Sequence, residues 1–278
     1  MLNLFSIALA NREMIFDKFE AMLTDMPEHT VSLVREFASW VLAESLISIN
    51  TKLYIVMDLI NGGNYKSMYS WAEEQSRLSG RKAEEVLRER LGHYYEKRVM
   101  FDRAFEKGER FVYGALNAGG VALTSFDQYC VVLKSSFQSG VEKTGEIACL
   151  PGDSLKIGFS NNDLFDLSAI ESAVAPFSER HRLTASVRGR EASIVEKYEW
   201  PTLIASAVRY FEVILIGEIS IDSVDCVRLT KEEYDTKWDL CFLNLGSKRN
   251  EAERALVNDF IQLRRAELDG RVKVEVLR

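Results

Sequence analysis

One carboxylate stands out by its setting. Glu212 lies in the run Arg209-Tyr-Phe-Glu-Val-Ile-Leu-Ile-Gly217, among aromatic and aliphatic residues. That composition predicts a strand over 210–216. Alternation then puts Tyr210, Glu212 and Ile214 on one face and Phe211, Val213 and Leu215 on the other. A glutamate on an inward sheet face must find hydrogen-bond partners or water. Held rigidly there, it is suited to stabilising positive charge that develops during a reaction. One preorganised contact of that kind is commonly worth about 3 kcal/mol, or about a hundredfold in rate. The plain alternative is a half-exposed strand with Glu212 in solvent.

Other chemistries find less support. The three histidines, His29, His93 and His181, are far apart and have no metal-ligand spacing, which argues against a zinc hydrolase. There is no G-x-S-x-G elbow, Walker loop or G-x-G-x-x-G. Cys130, Cys149, Cys226 and Cys241 form no C-x-x-C pair, and Cys130 and Cys226 sit in apolar runs, so four reduced thiols are expected. Asp153, Asp222 and Asp225 leave room for a magnesium-dependent nuclease, although strand-end aspartates are commonly turn residues.

The elements that must position these groups change character along the chain. Residues 1 to about 106 read as helices, with Ile15, Phe16, Phe19, Met22 and Leu23 at helical spacing. Residues 43–60 are nearly apolar at their end and read as a buried helix; Asn61-Gly-Gly-Asn64 breaks it. Residues 67–79 and 81–105 read as two further helices, the second half-exposed with charges at i, i+4. After Gly108 the pattern turns to short strands over 110–115, 121–124 and 129–134. A short helix is expected over 164–175, and strands over 224–229 and 238–245. An amphipathic helix over 251–268 carries Leu256, Phe260 and Leu263 on one face, and an alternating strand follows through Val272, Val274 and Val276. Strand, helix, strand at this length suggests a parallel crossover. The expectation is an α+β fold: a helical domain over 1–107 and a β-rich domain over 108–278, with 231–278 a possible extension.

Composition bounds the rest. With 35 basic and 42 acidic residues the net charge is −7, which gives no global attraction to nucleic acid. No run approaches the length of apolar residues that spans a membrane, and the N-terminus lacks the basic start of a signal peptide. A cytoplasmic setting, or delivery into a target cell's cytosol, is expected.

Several blocks occur in a recognisable order: Arg110-Phe-Val-Tyr-Gly-Ala-Leu-Asn117, Leu123-Thr-Ser-Phe-Asp-Gln-Tyr-Cys130, Gly152-Asp-Ser154 and the Glu212 run. The series resembles a family of bacterial proteins with Arg-x-x-Tyr-Gly-Ala-Leu-Asn, Phe-Gly-x-Cys, Gly-Asp-Ser and Tyr-x-Glu. Its last block also resembles the glutamate strand of ADP-ribosyltransferases. The resemblance covers about residues 108–230. It implies a toxin- or effector-type enzyme that takes NAD as substrate and passes ADP-ribose to a macromolecular acceptor, a protein by expectation. The sugar would pass through an oxocarbenium-like state, as in glycoside cleavage. By resemblance, Glu212 is the key carboxylate, Ser125 with Thr124 stands for the serine motif, Arg110 holds phosphate, Tyr113 stacks on nicotinamide, and Asn117 lies near the dinucleotide. The full Ser-Thr-Ser motif is absent. Tyr210 stands where arginine-specific members carry Glu or Gln, which disfavours arginine as acceptor. The competing reading is a protein-binding module or pseudo-enzyme that recognises a partner through its helical part.

Overall fold

The computed structural model describes residues 1–160, 163–206, 209–242 and 251–277. The fold is α+β: among the described residues, eight strands form one mixed sheet and helices cover both of its faces. The strands are β1 (Leu46–Thr51), β2 (Phe111–Asn117), β3 (Tyr129–Leu133), β4 (Ile147–Leu150), β5 (Ala175–Pro176), β6 (Glu212–Ile216), β7 (Val224–Thr230) and β8 (Val274–Leu277). Their order is β5-β4-β6-β2-β1-β3-β7-β8. Every neighbouring pair is antiparallel except β7 and β8, which run parallel.

β1 departs from the expected buried helix over 43–60. Leu46-Ile-Ser-Ile-Asn-Thr51 alternates, with Ile47, Ile49 and Thr51 β-branched on one face, and this favours strand over helix. Beyond Glu44, which ends the helix Glu28–Glu44, only Leu53–Ile60 is helical, and all its residues but Tyr54 and Asp58 are buried. β1 sits between β2 and β3, pairing Leu46 with Asn117 and Asn50 with Cys130. One sheet therefore draws its strands from both sides of residue 107.

Two more expectations need correction. Residues 121–124 are not a strand. Asn50 donates to Val121 O and Asp127 O and accepts from Leu123 N, and so pins the segment as a loop against β1. Residues 238–242 are helical, part of Lys231–Phe242. Ion pairs at i, i+4, Lys231–Asp235 at 2.7 Å and Lys237–Glu233 at 3.1 Å, and a Tyr234–Trp238 ring stack one turn apart favour helix there. The rest of the strand expected over 238–245 lies outside the described residues. The amphipathic helix is present as Glu251–Leu268, and the parallel crossover is present with β7 as its first strand. Cys130, Cys149, Cys226 and Cys241 are free thiols.

The strands' alternation divides the core in two. Ile47, Ile49, Val112, Val131, Val213 and Leu215 join the larger cluster, with side chains from the helices Arg12–Thr24, Glu28–Glu44, Leu53–Ile60, Arg180–Ala192 and Glu251–Leu268. Phe111, Ala148, Leu150, Ile214 and Ile216 face the other way, toward the helices Leu4–Ala10, Tyr95–Ala104 and Leu167–Ala173. Tyr113 packs against this second cluster, and Glu212 occupies the same face, because Glu212 pairs with Ala115 and Ile214 with Tyr113.

Two glycines set close approaches near these strands. A Cβ on Gly114 would stand 2.8 Å from the Ser48 carbonyl oxygen of β1, so the Tyr-Gly-Ala-Leu-Asn block needs glycine where β2 meets β1. A Cβ on Gly108 would stand 1.9 Å from the Asp102 carbonyl oxygen. Neither obstacle is a flexible side-chain end. Gly114→Ala and Gly108→Ala are each expected to lower stability by about 1–3 kcal/mol, Gly108→Ala the more, as overpacked sites do. Urea denaturation midpoints check this; a wild-type midpoint for Gly108→Ala would contradict the packing described.

Candidate active site

Glu212 is 4% exposed on its inward face, at the first residue of β6. Two groups meet it. The Ser154 backbone N–H donates to Oε2 at 2.9 Å, and Arg98 Nη2 lies 3.8 Å from Oε1, an ion pair too long for a good hydrogen bond. Arg98 Nη1 also donates to Ser154 Oγ at 3.1 Å. Serine, arginine and glutamate thus close a small buried ring of contacts.

Arg98 lies on the helix Tyr95–Ala104, whose buried stripe includes Tyr95, Arg98, Val99 and Asp102. One turn beyond Arg98, Asp102 accepts from Tyr69 Oη at 2.9 Å and from the Tyr113 hydroxyl. The Arg98 guanidinium carbon stands 3.9 Å from the Tyr113 ring centroid, within cation–π range. Asp153 caps the short helix that starts at Ser154, accepting from Leu155 N at 2.9 Å.

The electrostatics follow from one cation serving two buried carboxylates. Burial raises Glu212 from 4.5 to about 7; Arg98 opposes the rise and Asp153 adds to it. Burial likewise raises Asp102 from 3.8 to about 6, against Arg98 and the two tyrosine hydroxyls. Burial acts to lower the pKa of Arg98, but Tyr113, Glu212 and Asp102 outweigh it, so Arg98 stays charged. Burial drives Tyr113 well above its ordinary value. Perturbed groups concentrated in this way are a physical mark of functional sites.

The expected site residues divide. Tyr113 and Glu212 come together in the cluster. Arg110 does not: it is exposed in the turn Gly108–Arg110 before β2. Ala115, the partner of Glu212, lies five residues further along, about 17 Å at 3.3–3.4 Å per strand residue. Arg98 is the arginine that faces the glutamate. Asn117 is buried and holds the Gly119-Gly120 turn, donating to Gly120 O and accepting from Gly120 N. Thr124 and Ser125 lie in the loop before β3, with Ser125 exposed; Phe126 meets the Tyr210 ring edge-on at 6.0 Å. The serine beside Glu212 is Ser154, from the Gly-Asp-Ser block. Asp102 and Arg98 were missed, because charges at i, i+4 in the segment 81–105 read as a half-exposed helix; Tyr69, on the helix Met68–Ser79, carried no signal of its own. The usable signal was the alignment of Arg98 and Asp102 with Tyr95 and Val99 on one stripe.

A cavity of about 380 Å³ reaches the cluster at Tyr113. Its walls include Tyr54, Tyr65, Lys66, Trp71 and Arg90. Among the described residues, no group of three or more His, Cys, Asp or Glu side chains is placed to hold a metal ion, and no helix is long and apolar enough to cross a membrane. No family model matches the chain, and no curated protein matches it.

The raised carboxylates make a signed expectation. The folded state holds protons on Glu212 and Asp102 that the unfolded chain gives up, so their contribution is fully present below about pH 4 and is lost as pH rises through 6 to 7. Glu212→Gln removes the Glu212 part, so its stability is expected to fall less between pH 5 and 8 than the wild type's. Arg98→Met leaves two buried carboxylates without their cation. It is expected to destabilise by about 3–5 kcal/mol, and by more at pH 8 than at pH 5. Denaturant titrations at the two pH values measure both; an equal loss at each pH for Arg98→Met would contradict the ion-pair account.

Proposed function

We propose that the chain is an NAD-cleaving enzyme of the ADP-ribosyltransferase type, with Glu212 as its key carboxylate. The observation that carries this reading is the convergence of Tyr113, Ser154 and Glu212, from three separate sequence blocks, on one buried cluster beside a cavity. The fit to NAD rests on the cavity's composition: aromatic walls for flat rings and the guanidinium of Arg90 for phosphate oxygens, with Lys66 on the same wall paired to Glu74. Arg98 and Ser154 N–H fix the carboxylate, and Tyr113, not Glu212, lines the cavity. Productive binding therefore requires the Tyr113 ring to turn aside.

In the reaction the C1′–N bond of the nicotinamide riboside breaks and nicotinamide leaves with the electron pair. The ribose carries the positive charge, and ionised Glu212 stabilises it. Water or an acceptor nucleophile then bonds to C1′ and gives up a proton. The macromolecular acceptor, a protein in this reading, would be chosen by surfaces outside the cluster.

A second reading has its own support. Both Glu212 oxygens already have protein partners and the side chain is almost wholly buried, as suits a structural cluster in a non-catalytic partner-binding module. Nicotinamide release separates the two. The enzyme reading expects release from NAD that falls at least a hundredfold in Glu212→Gln. It also expects release to decline as pH falls below about 7, where Glu212 takes its proton. A folded wild-type protein that releases no nicotinamide, with or without cell extract as acceptor source, would favour the binding module.

A further inference from the structure

The cavity beside Tyr113 has an outer part that the cluster does not explain. There the guanidinium carbon of Arg90 stands 4.3 Å from the Trp71 ring centroid, and Arg90 Nη1 donates to Tyr54 Oη at 3.2 Å. Trp71 comes from the helix Met68–Ser79, Arg90 from Ala83–Leu91 and Tyr54 from Leu53–Ile60, so three helices converge on one small platform.

Among the described residues Arg90 shares the lack of an ion pair with Arg77, Arg103, Arg110, Arg180 and Arg190, but it stands on a cavity wall over an indole ring. Arg35, Arg81, Arg88, Arg188, Arg209 and Arg228 each hold a carboxylate within ion-pair distance. Among the described residues, Arg90 forms no salt bridge, although acids outnumber bases by seven. Asp127 feels its charge without touching it. A guanidinium oriented by an indole and a phenol, with donors left over, matches the planar recognition that arginine gives to phosphate. Lys66 lines the same cavity, tied at 3.2 Å to Glu74. Tyr54 stays 46% exposed and supplies an open face for a flat ring.

We propose that Trp71, Tyr54 and Arg90 form a subsite for the adenosine diphosphate part of a nucleotide, with the base stacked on the aromatic rings and the phosphates on Arg90. This rests on the NAD reading above only for its orientation: the adenine end lies outward on this platform and the nicotinamide end points to Tyr113. Asp58 and Glu74, also on the cavity wall, are acceptors for ribose hydroxyls.

Tryptophan fluorescence and calorimetry with ADP, AMP and ribose 5-phosphate test it on the whole chain. ADP is expected to bind and to quench emission, AMP to bind more weakly, and ribose 5-phosphate least. Trp71→Ala and Arg90→Ala should each weaken ADP binding tenfold or more, with Arg90→Lys between Arg90→Ala and wild type. Glu212→Gln should bind ADP as wild type does. Arg90 is exposed, so its variants are expected to fold, and circular dichroism verifies this. Absence of ADP binding to the wild type at millimolar concentration, or wild-type affinity in both alanine variants, overturns the subsite. If ADP binds through Trp71 and Arg90 but NAD is never cleaved, the subsite stands and the transferase reading falls. If NAD is cleaved in a Glu212-dependent way that neither alanine variant alters, the subsite falls and the transferase reading stands.

Discussion

One buried guanidinium organises the polar cluster of this molecule. Arg98 enters a space closed by helix and sheet, where an isolated charge would be prohibitive. It is tolerated because Glu212, Ser154, Tyr113 and Asp102 converge on it from a strand, the start of a short helix, a second strand and its own helix. Each of those elements is thereby held in register with the others. The arrangement carries one positive and two potentially negative groups, so it relaxes by keeping a proton, and both carboxyl groups are displaced upward. Geometry and protonation are the same constraint seen twice.

The two faces of the sheet divide their labour accordingly. The face bearing Ile47, Val112, Val131, Val213 and Leu215 packs into the larger hydrocarbon core, where burial of apolar area supplies stability without direction. The opposite face sets Glu212 and Tyr113 between apolar clusters. Directional contacts there specify which atoms meet. A strand that alternates strictly can serve both ends at once: Val213 and Leu215 anchor β6 while Glu212 presents its carboxylate.

Much of this was legible from residue order, for reasons that can be named. The inward face of Glu212 follows from period-two alternation in a β-branched run, and the helix Glu251–Leu268 follows from its apolar stripe. In β1 the alternation of Ile47 and Ile49 with Ser48 and Asn50 was overridden by the apolar run Leu53–Ile60 that follows it, so the two read as one helix. The helix Lys231–Phe242 was obscured by its aromatic residues, which favour strands until their one-turn spacing is weighed. Arg98 escaped notice because sequence gives the spacing of charges but not the side on which a sheet lies. The arginine expected to serve, Arg110, was placed by its position at the head of a strand, and strand length then carried it away from the glutamate.

The central place of β1 has a consequence for how the chain is made. Leu46–Thr51 is flanked in space by strands that follow it by more than sixty residues, and β6 lies further on again. A nascent chain that has exposed only its early helices holds a ribbon with both edges open and no partner for either. Its apolar face must wait, shielded by its neighbouring helices or by a chaperone, until synthesis passes the middle of the message. Pairing across such separations is slow, and an unpaired ribbon is prone to find the wrong mate. The same segment that knits the finished sheet together is therefore the one most vulnerable to clumping during translation.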